Sequence, residues 1–240
     1  MTFEYSSAPI VRLAWERGLG LPAHTLISGD DGSRITHVTD SGALTFVRLW
    51  DQSILSGPAD VVAAAEKCTD EELAEHAFML RLTRDFGGRG GGTHSLSYAD
   101  DLPLRQPDAS VTVSHGNPEA VALEALCPPD DVNDVGLARL AHKFTLMDSG
   151  ESDAHPVATG AYAEYEGLLA QLGTLVAPDF RRRGLGLLAT NIAAHEALAS
   201  GLILQWRADV NNTPARALAV SAGFIAAGLQ TSVSLQSPQR

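Results

Sequence analysis

Apolar positions recur in alternating and helical periods along the chain, and the breaks between them are marked by glycine, proline and short polar clusters. Ser7 can cap a helix that begins near Pro9, carries Ile10, Leu13 and Ala14 on one face, and ends at Gly18 or Gly20. Three short extended runs follow, Ile35 to Thr39, Leu44 to Trp50 and Ser53 to Leu55. Turn signals at Asp40-Ser41-Gly42 and Gly57-Pro58 punctuate them, which predicts an antiparallel meander. Helical patterns run from Ala59 to Lys67 and from Asp70 to about Arg84. Thr69 is the cap of the second, with Glu72 at capping-box spacing. A strand from His94 to Tyr98 closes this half.

Pro103 and Pro107 stand among polar residues in the aperiodic segment Asp100 to Ala109, so a boundary is expected there, dividing the chain into residues 1–108 and 109–240. The second part reads as a strand at Ser110 to Ser114, helices near Pro118 to Leu126 and Val132 to Leu140, and strands at Lys143 to Met147, Val157 to Tyr165 and Leu168 to Val176. A helix over Arg183 to Ser200, a strand over Leu202 to Ala208, a helix over Pro214 to Ala222 and a strand over Ile225 to Leu235 complete it. The order is βααβββαβαβ, an α/β (α+β) pattern that implies a mixed, largely antiparallel sheet flanked by helices. The first half repeats part of this order, as a degenerate duplication would.

Composition narrows the function. The 240 residues are 45% hydrophobic, enough for a packed core. No run of eighteen apolar residues and no secretory leader pattern is found, so no membrane partner and a cytoplasmic location are expected. The two cysteines, Cys68 and Cys127, and the scattered His94, His115 and His142 have no metal-ligand spacing, so no metal is expected. A net charge of -12 disfavours nucleic acid. Against that background the consecutive Arg181, Arg182 and Arg183 stand out, three of only eight Lys or Arg beyond position 108.

These arginines open the segment Arg181-Arg182-Arg183-Gly184-Leu185-Gly186, between a strand stopped by Pro178 and an amphipathic helix. Unpaired N–H groups of a first helical turn and the helix dipole form a binding site for a phosphate, and glycines let the backbone come close. The other glycine run, Phe86 to Gly92, follows a helix and precedes a strand, the reverse order, and reads as a flexible connector.

With Leu175-Val176-Ala177-Pro178 leading into Arg181-x-x-Gly184-x-Gly186, and Asn212-x-x-Ala215-x-x-Leu218 followed by Gly223-Phe224, the sequence resembles the GNAT superfamily of acetyltransferases. The resemblance is specific over about Val157 to Leu235 and weaker from Ser110 to Asp153. In the first hundred residues it is one of topology, and the glycine N-acyltransferase-like branch, with two related halves, looks most similar. It implies acetyl-CoA as acyl donor, held at its pantetheine arm by backbone groups of Leu175 and Val176 and by Asn212. The pyrophosphate would lie on the amides of Arg182, Arg183, Gly184, Leu185, Gly186 and Leu187, with charge from the side chains of Arg181 to Arg183. The implied reaction is direct attack by an amine through a tetrahedral intermediate, in a gap between the strands 168–176 and 202–208.

An attacking amine must be neutral, so a carboxylate base is useful. Glu164 and Glu166 are the nearest candidates and share one face if the chain there is extended; otherwise they are a solvated hairpin end. Gln171 can position water instead. Family members commonly place a leaving-group acid, Tyr, where this sequence has Ala219, which leaves Ser221, solvent, or no fast chemistry. Leu185, Leu188, Ile192, His195 and Ala199 share a helical face, which predicts a satisfied core histidine. Trp206 alternates with Leu204 and Ala208 as a buried strand face does, and Asp130, Asp131 and Asp134 read as first-turn capping carboxylates. The expected activity is an acetyl-CoA-dependent N-acetyltransferase acting on an amine-bearing acceptor. The alternative is a non-catalytic acyl-CoA sensor, and RNA binding through the arginines ranks last.

Overall fold

A computed structural model describes residues 7–26, 33–105, 111–148 and 154–236. The chain forms two compact units. One is built chiefly from Tyr98–Trp206 and Ala217–Ile225, the other from Ala8–Ser97, Arg207–Arg216 and Ala226–Arg240. No helix among the described residues is long and apolar enough to cross a membrane.

In the unit that opens with Ala8, α1 (Ala8–Leu19) buries Val11, Ala14, Trp15 and Glu16. The buried Glu16 carboxylate is satisfied by the main chain, accepting from Leu26 N at 2.6 Å and His24 N at 3.2 Å. Strands β1 (Ile35–Val38), β2 (Ala43–Leu49) and β3 (Gln52–Gly57) follow. They are not the expected meander: β1 pairs with β3 in parallel, while β2 pairs with β3 antiparallel. Helix α2 covers Ala59–Ala65. The single helix expected over 70–84 is two, α3 (Asp70–Ala74) and α4 (His76–Leu82), because Glu75 at φ -87°, ψ 115° leaves helical space. The capping box at Thr69 and Glu72 is formed in both directions, at 3.2 and 2.8 Å.

The connector expected over the glycine run is instead the first part of β4 (Arg89–Ala99). A Cβ at Gly91 would overlap the carbonyl oxygen of Ser232 on the last strand, β10 (Ile225–Ser234). The strand order in this unit is β1-β3-β2-β10-β4.

The other unit follows the order read from the sequence. Its elements are β5 (Val111–His115), α5 (Asn117–Glu124), α6 (Pro129–Val135), β6 (His142–Asp148), β7 (His155–Tyr165), β8 (Leu169–Val176), α7 (Leu185–Ala199) and the start of β9 (Ile203–Asp209), with α8 (Thr213–Ala222) ending in it. β5 to β8 form an antiparallel meander and β9 lies parallel to β8. The two faces of this sheet are covered by different helices. Gly160 on β7 lies against α7, where a Cβ would overlap the carbonyl of Ala189. On the other face a Cβ at Gly173 would come within 2.7 Å of Leu140, next to the core of Leu123, Leu137, Ala161 and Leu175.

The face that α7 turns inward differs from the one its bulky residues suggest. Ala189, Thr190, Asn191, Ala193, Ala194 and Ala197 are buried, while Leu185, Leu188, Ile192 and His195 are half-buried on its flank. Small side chains let the helix axis come close to the sheet, and the larger ones fill the margin. Thr190 donates to Gly186 O at 2.8 Å, so the 2.7 Å contact with Thr174 on β8 has Thr174 as donor.

Two outcomes are expected. Gly160→Ala, by overpacking against the α7 backbone, lowers unfolding free energy by about 1–3 kcal/mol in urea titration. His94 on β4 titrates at about 4 instead of 6.5, chiefly because it is buried and secondly because of the Arg207 guanidinium, with Asp209 opposing. The unfolded chain binds this proton more tightly, so stability falls as pH drops from about 6.5 to about 4 and levels off below. In His94→Gln that pH slope of the urea midpoint is reduced.

Candidate functional site

β8 ends at Val176, and a short 3₁₀ turn over Pro178–Phe180 carries the chain into Arg181 to Gly184 and then α7. The turn needs two positive φ angles, at Arg182 (61°) and Gly184 (81°). Gly184 is exposed and faces open space: a Cβ built on it would meet nothing within 4 Å. The first helical hydrogen bond runs from Leu188 N to Gly184 O at 3.0 Å. The N–H groups of Leu185, Gly186 and Leu187 therefore precede any intrahelical acceptor, and the positive end of the dipole lies with them. Gly186 has a different role, since a Cβ there would press on Val176 at 3.2 Å and lie 3.8 Å from Leu218. It lets the helix pack and leaves the anion approach to Gly184.

The three arginines separate. Arg181 turns back, donating from Nε to Val176 O at 3.2 Å and pairing with Asp131 at 2.6 Å. Asp131, expected only as a helix-end carboxylate, thus neutralises one of the three cations. Both partners are about 40% exposed, so the pair adds little stability. The guanidinium of Arg183 lies over the ring of Phe180 at 5.0 Å. Arg182 is exposed.

β8 has one occupied edge and one partly open edge. Its register with β9 runs from Leu169/Ile203 to Leu172/Trp206, and β8 then continues as Gly173–Val176. Ile203 N donates to Leu168 O and Ala177 N to Val157 O, both at 3.0 Å. By alternation, even-numbered residues of β8 point their main-chain groups to the β9 side and odd-numbered ones to β7. Thr174 and Val176 therefore face the open edge. Leu175 is opposite Thr159 of β7 and its main chain faces that strand. Of the two strand residues singled out from the sequence, only Val176 reaches this edge, and Thr174 takes the place beside it.

Where the β8–β9 register ends, the two faces of the sheet carry different chemistry. On the α5–α6 face Tyr98 donates to Gln205 Oε1 at 2.9 Å, Gln205 Nε2 donates to Gln171 Oε1 at 2.8 Å, and Gln171 Nε2 donates to Leu172 O at 3.0 Å. On the α7 face Trp206 packs on Phe224, centroids 5.6 Å apart at 59°. The Trp206 Nε1 is buried and has no hydrogen-bond partner among the described residues. An unmet buried donor costs about 1–3 kcal/mol, so this one needs an explanation. Ala219 is buried, and its carbonyl accepts from Gly223 and Phe224 to end α8.

The remaining candidates lie elsewhere. Glu164 is exposed and in register with Ala170, on the order of 10 Å along the strand from Gly173. Glu166 is in the hairpin turn at φ 54°, so the alternation that would align it with Glu164 has already ended. Asn212 caps α8, accepting from Ala215 N at 3.0 Å. His195, expected to be satisfied, has a buried Nε2 without a partner among the described residues. Burial, its largest cause, raises the Cys127 thiol pKa, and its Sγ lies 3.7 Å from Val176 O. No group of three or more His, Cys, Asp or Glu suited to a metal occurs among the described residues.

A model of the acetyltransferase (GNAT) family matches residues 121–224. No curated protein matches the chain. Among solved structures, a Drosophila protein is similar at 16% identity, with 68% of this chain and 59% of that one covered and a TM-score of 0.51. A GCN5-related N-acetyltransferase from Kribbella flavida is 19% identical, with 65% and 63% covered and a TM-score of 0.45. A GCN5-related N-acetyltransferase-like protein from Streptococcus suis is 13% identical, with 83% and 87% covered and a TM-score of 0.49. The chain spans less than two thirds of the Drosophila and Kribbella chains. The segment 121–224 thus matches the acetyltransferase (GNAT) family, and the mixed, largely antiparallel sheet flanked by helices is consistent with the GNAT fold.

Proposed function

We propose that the protein is an acyl-CoA-dependent N-acetyltransferase that moves an acetyl group from acetyl-CoA to an amine. The observation that carries this reading is the strand edge of Thr174 and Val176 running directly into a turn whose helical amides have no intrahelical acceptor, within the segment that matches the family. A pyrophosphate fits this turn: the amides of Leu185, Gly186 and Leu187 supply donors, Gly184 leaves the approach clear, and Arg182 and Arg183 add charge. The main chain of Thr174 and Val176 would hold an extended amide-bearing arm as a strand edge holds a neighbour. Bound there, acetyl-CoA would supply an electrophilic thioester to an amine arriving from outside.

The chain's own contribution is then mostly positional. The Gln171–Gln205–Tyr98 chain orients neutral dipoles at the end of the β8–β9 register. Glu164 and Glu166 are too far along the hairpin to act at that point without a relay of water. Asn212 retains a role only beside its capping bond. We read residues 1–108 as a degenerate relative of residues 109–240, as in the glycine N-acyltransferase-like branch, and the whole protein as cytoplasmic. A second reading, a non-catalytic acyl-CoA sensor, draws on the buried Ala219 at the position of the usual acid.

Calorimetry with acetyl-CoA tests the donor, and a screen of amines with thiol detection separates the readings: turnover excludes the sensor, binding without turnover excludes the enzyme. Gly184→Asp is expected to weaken acetyl-CoA binding at least about tenfold, because a carboxylate would face the pyrophosphate. Gly184→Asn, equally tolerant of positive φ but uncharged, should lose much less. Equal affinities of the two variants would move the anion site elsewhere.

A further inference from the structure

We propose that the indole N–H of Trp206 is the hydrogen-bond donor to the thioester carbonyl of the acyl donor. This inference rests on the reading above. Trp206 is 5% exposed, and its Nε1 is a buried donor with no acceptor among the described residues. It occupies the last position at which β9 pairs with β8, opposite Leu172. Side chains of laterally paired residues share a face, and two residues further along β8 the hydroxyl of Thr174 contacts α7 through Thr190. The indole therefore lies on the α7 face, where the sheet register stops and the open edge begins. Phe224 fixes the ring from one side.

A buried N–H without an acceptor calls for an explanation, and an acceptor from outside the chain supplies one here. The geometry calls for an uncharged acceptor oxygen at the end of an extended arm along Thr174 and Val176. An acyl carbonyl meets that description. A donor held in apolar surroundings gains strength as negative charge builds on the oxygen during amine attack. The indole does not give up its proton, so it polarises the carbonyl and leaves the departing sulfur to be protonated from solvent, in keeping with Ala219 at the usual acid position.

The test uses full-length protein labelled with [¹⁵N-indole]tryptophan. Of the three tryptophans, Trp15, Trp50 and Trp206, the last is assigned by its loss in Trp206→Phe. Acetyl-CoA is expected to move the Trp206 indole proton downfield and free CoA to leave it in place. In calorimetry, replacing Trp206 by benzothienylalanine, which keeps the ring shape without the N–H, should weaken acetyl-CoA about tenfold and CoA hardly at all. A resonance unmoved by acetyl-CoA, or moved equally by CoA, overturns the assignment while donor binding stands. Wild-type protein that binds no acetyl-CoA overturns the functional reading and this inference with it.

Discussion

The close approach of α7 to β7 is the constraint on which the candidate site depends. Gly160 has no room for a Cβ against the Ala189 carbonyl, and the helix meets the sheet through alanines and threonines. That spacing sets the height of the first helical turn over the end of β8. The Thr174–Thr190–Gly186 hydroxyl relay then fixes its position along the strand. With a bulkier inward face the helix would ride higher, and its exposed amides would no longer line up with the open strand edge.

Charge is distributed with the same economy. In an acidic chain a triple-arginine turn would be a conspicuous cation, yet Asp131 holds Arg181 and ties it to the end of β8. That pair leaves the charges of Arg182 and Arg183 and the positive end of the helix dipole unopposed by Asp131. The Arg181 Nε keeps Val176 O engaged, which leaves Thr174 as the freer main-chain partner at the edge.

Much of this was legible in the sequence where local rules decide. The order of elements from β5 to β10, the turn at Arg181 to Gly186 and the Thr69 capping box depend on neighbours in the chain. The unread parts depend on distant residues. β1 pairs in parallel with β3 because of strand partners that turn signals cannot encode, and Glu75 breaks a helical pattern without glycine or proline to announce it. The run Gly90 to Gly92 reads as a linker until Ser232 is seen to lie against it. On α7 the large apolar residues suggested the wrong inner face, since a helix that must approach a sheet closely is buried through its smallest side chains. Leu175 and Val176 look equivalent in a motif, but strand alternation sends their main chains in opposite directions.

The chain from Tyr98 through Gln205 to Gln171 has a further consequence. Each amide in it is oriented by the one before, beginning from a phenol that is itself fully enclosed, so the three side chains form a fixed seam of uncharged hydrogen bonds through the interior. Bonds between uncharged groups that water hardly reaches are insensitive to salt, unlike the exposed Arg181–Asp131 pair at the turn that follows β8.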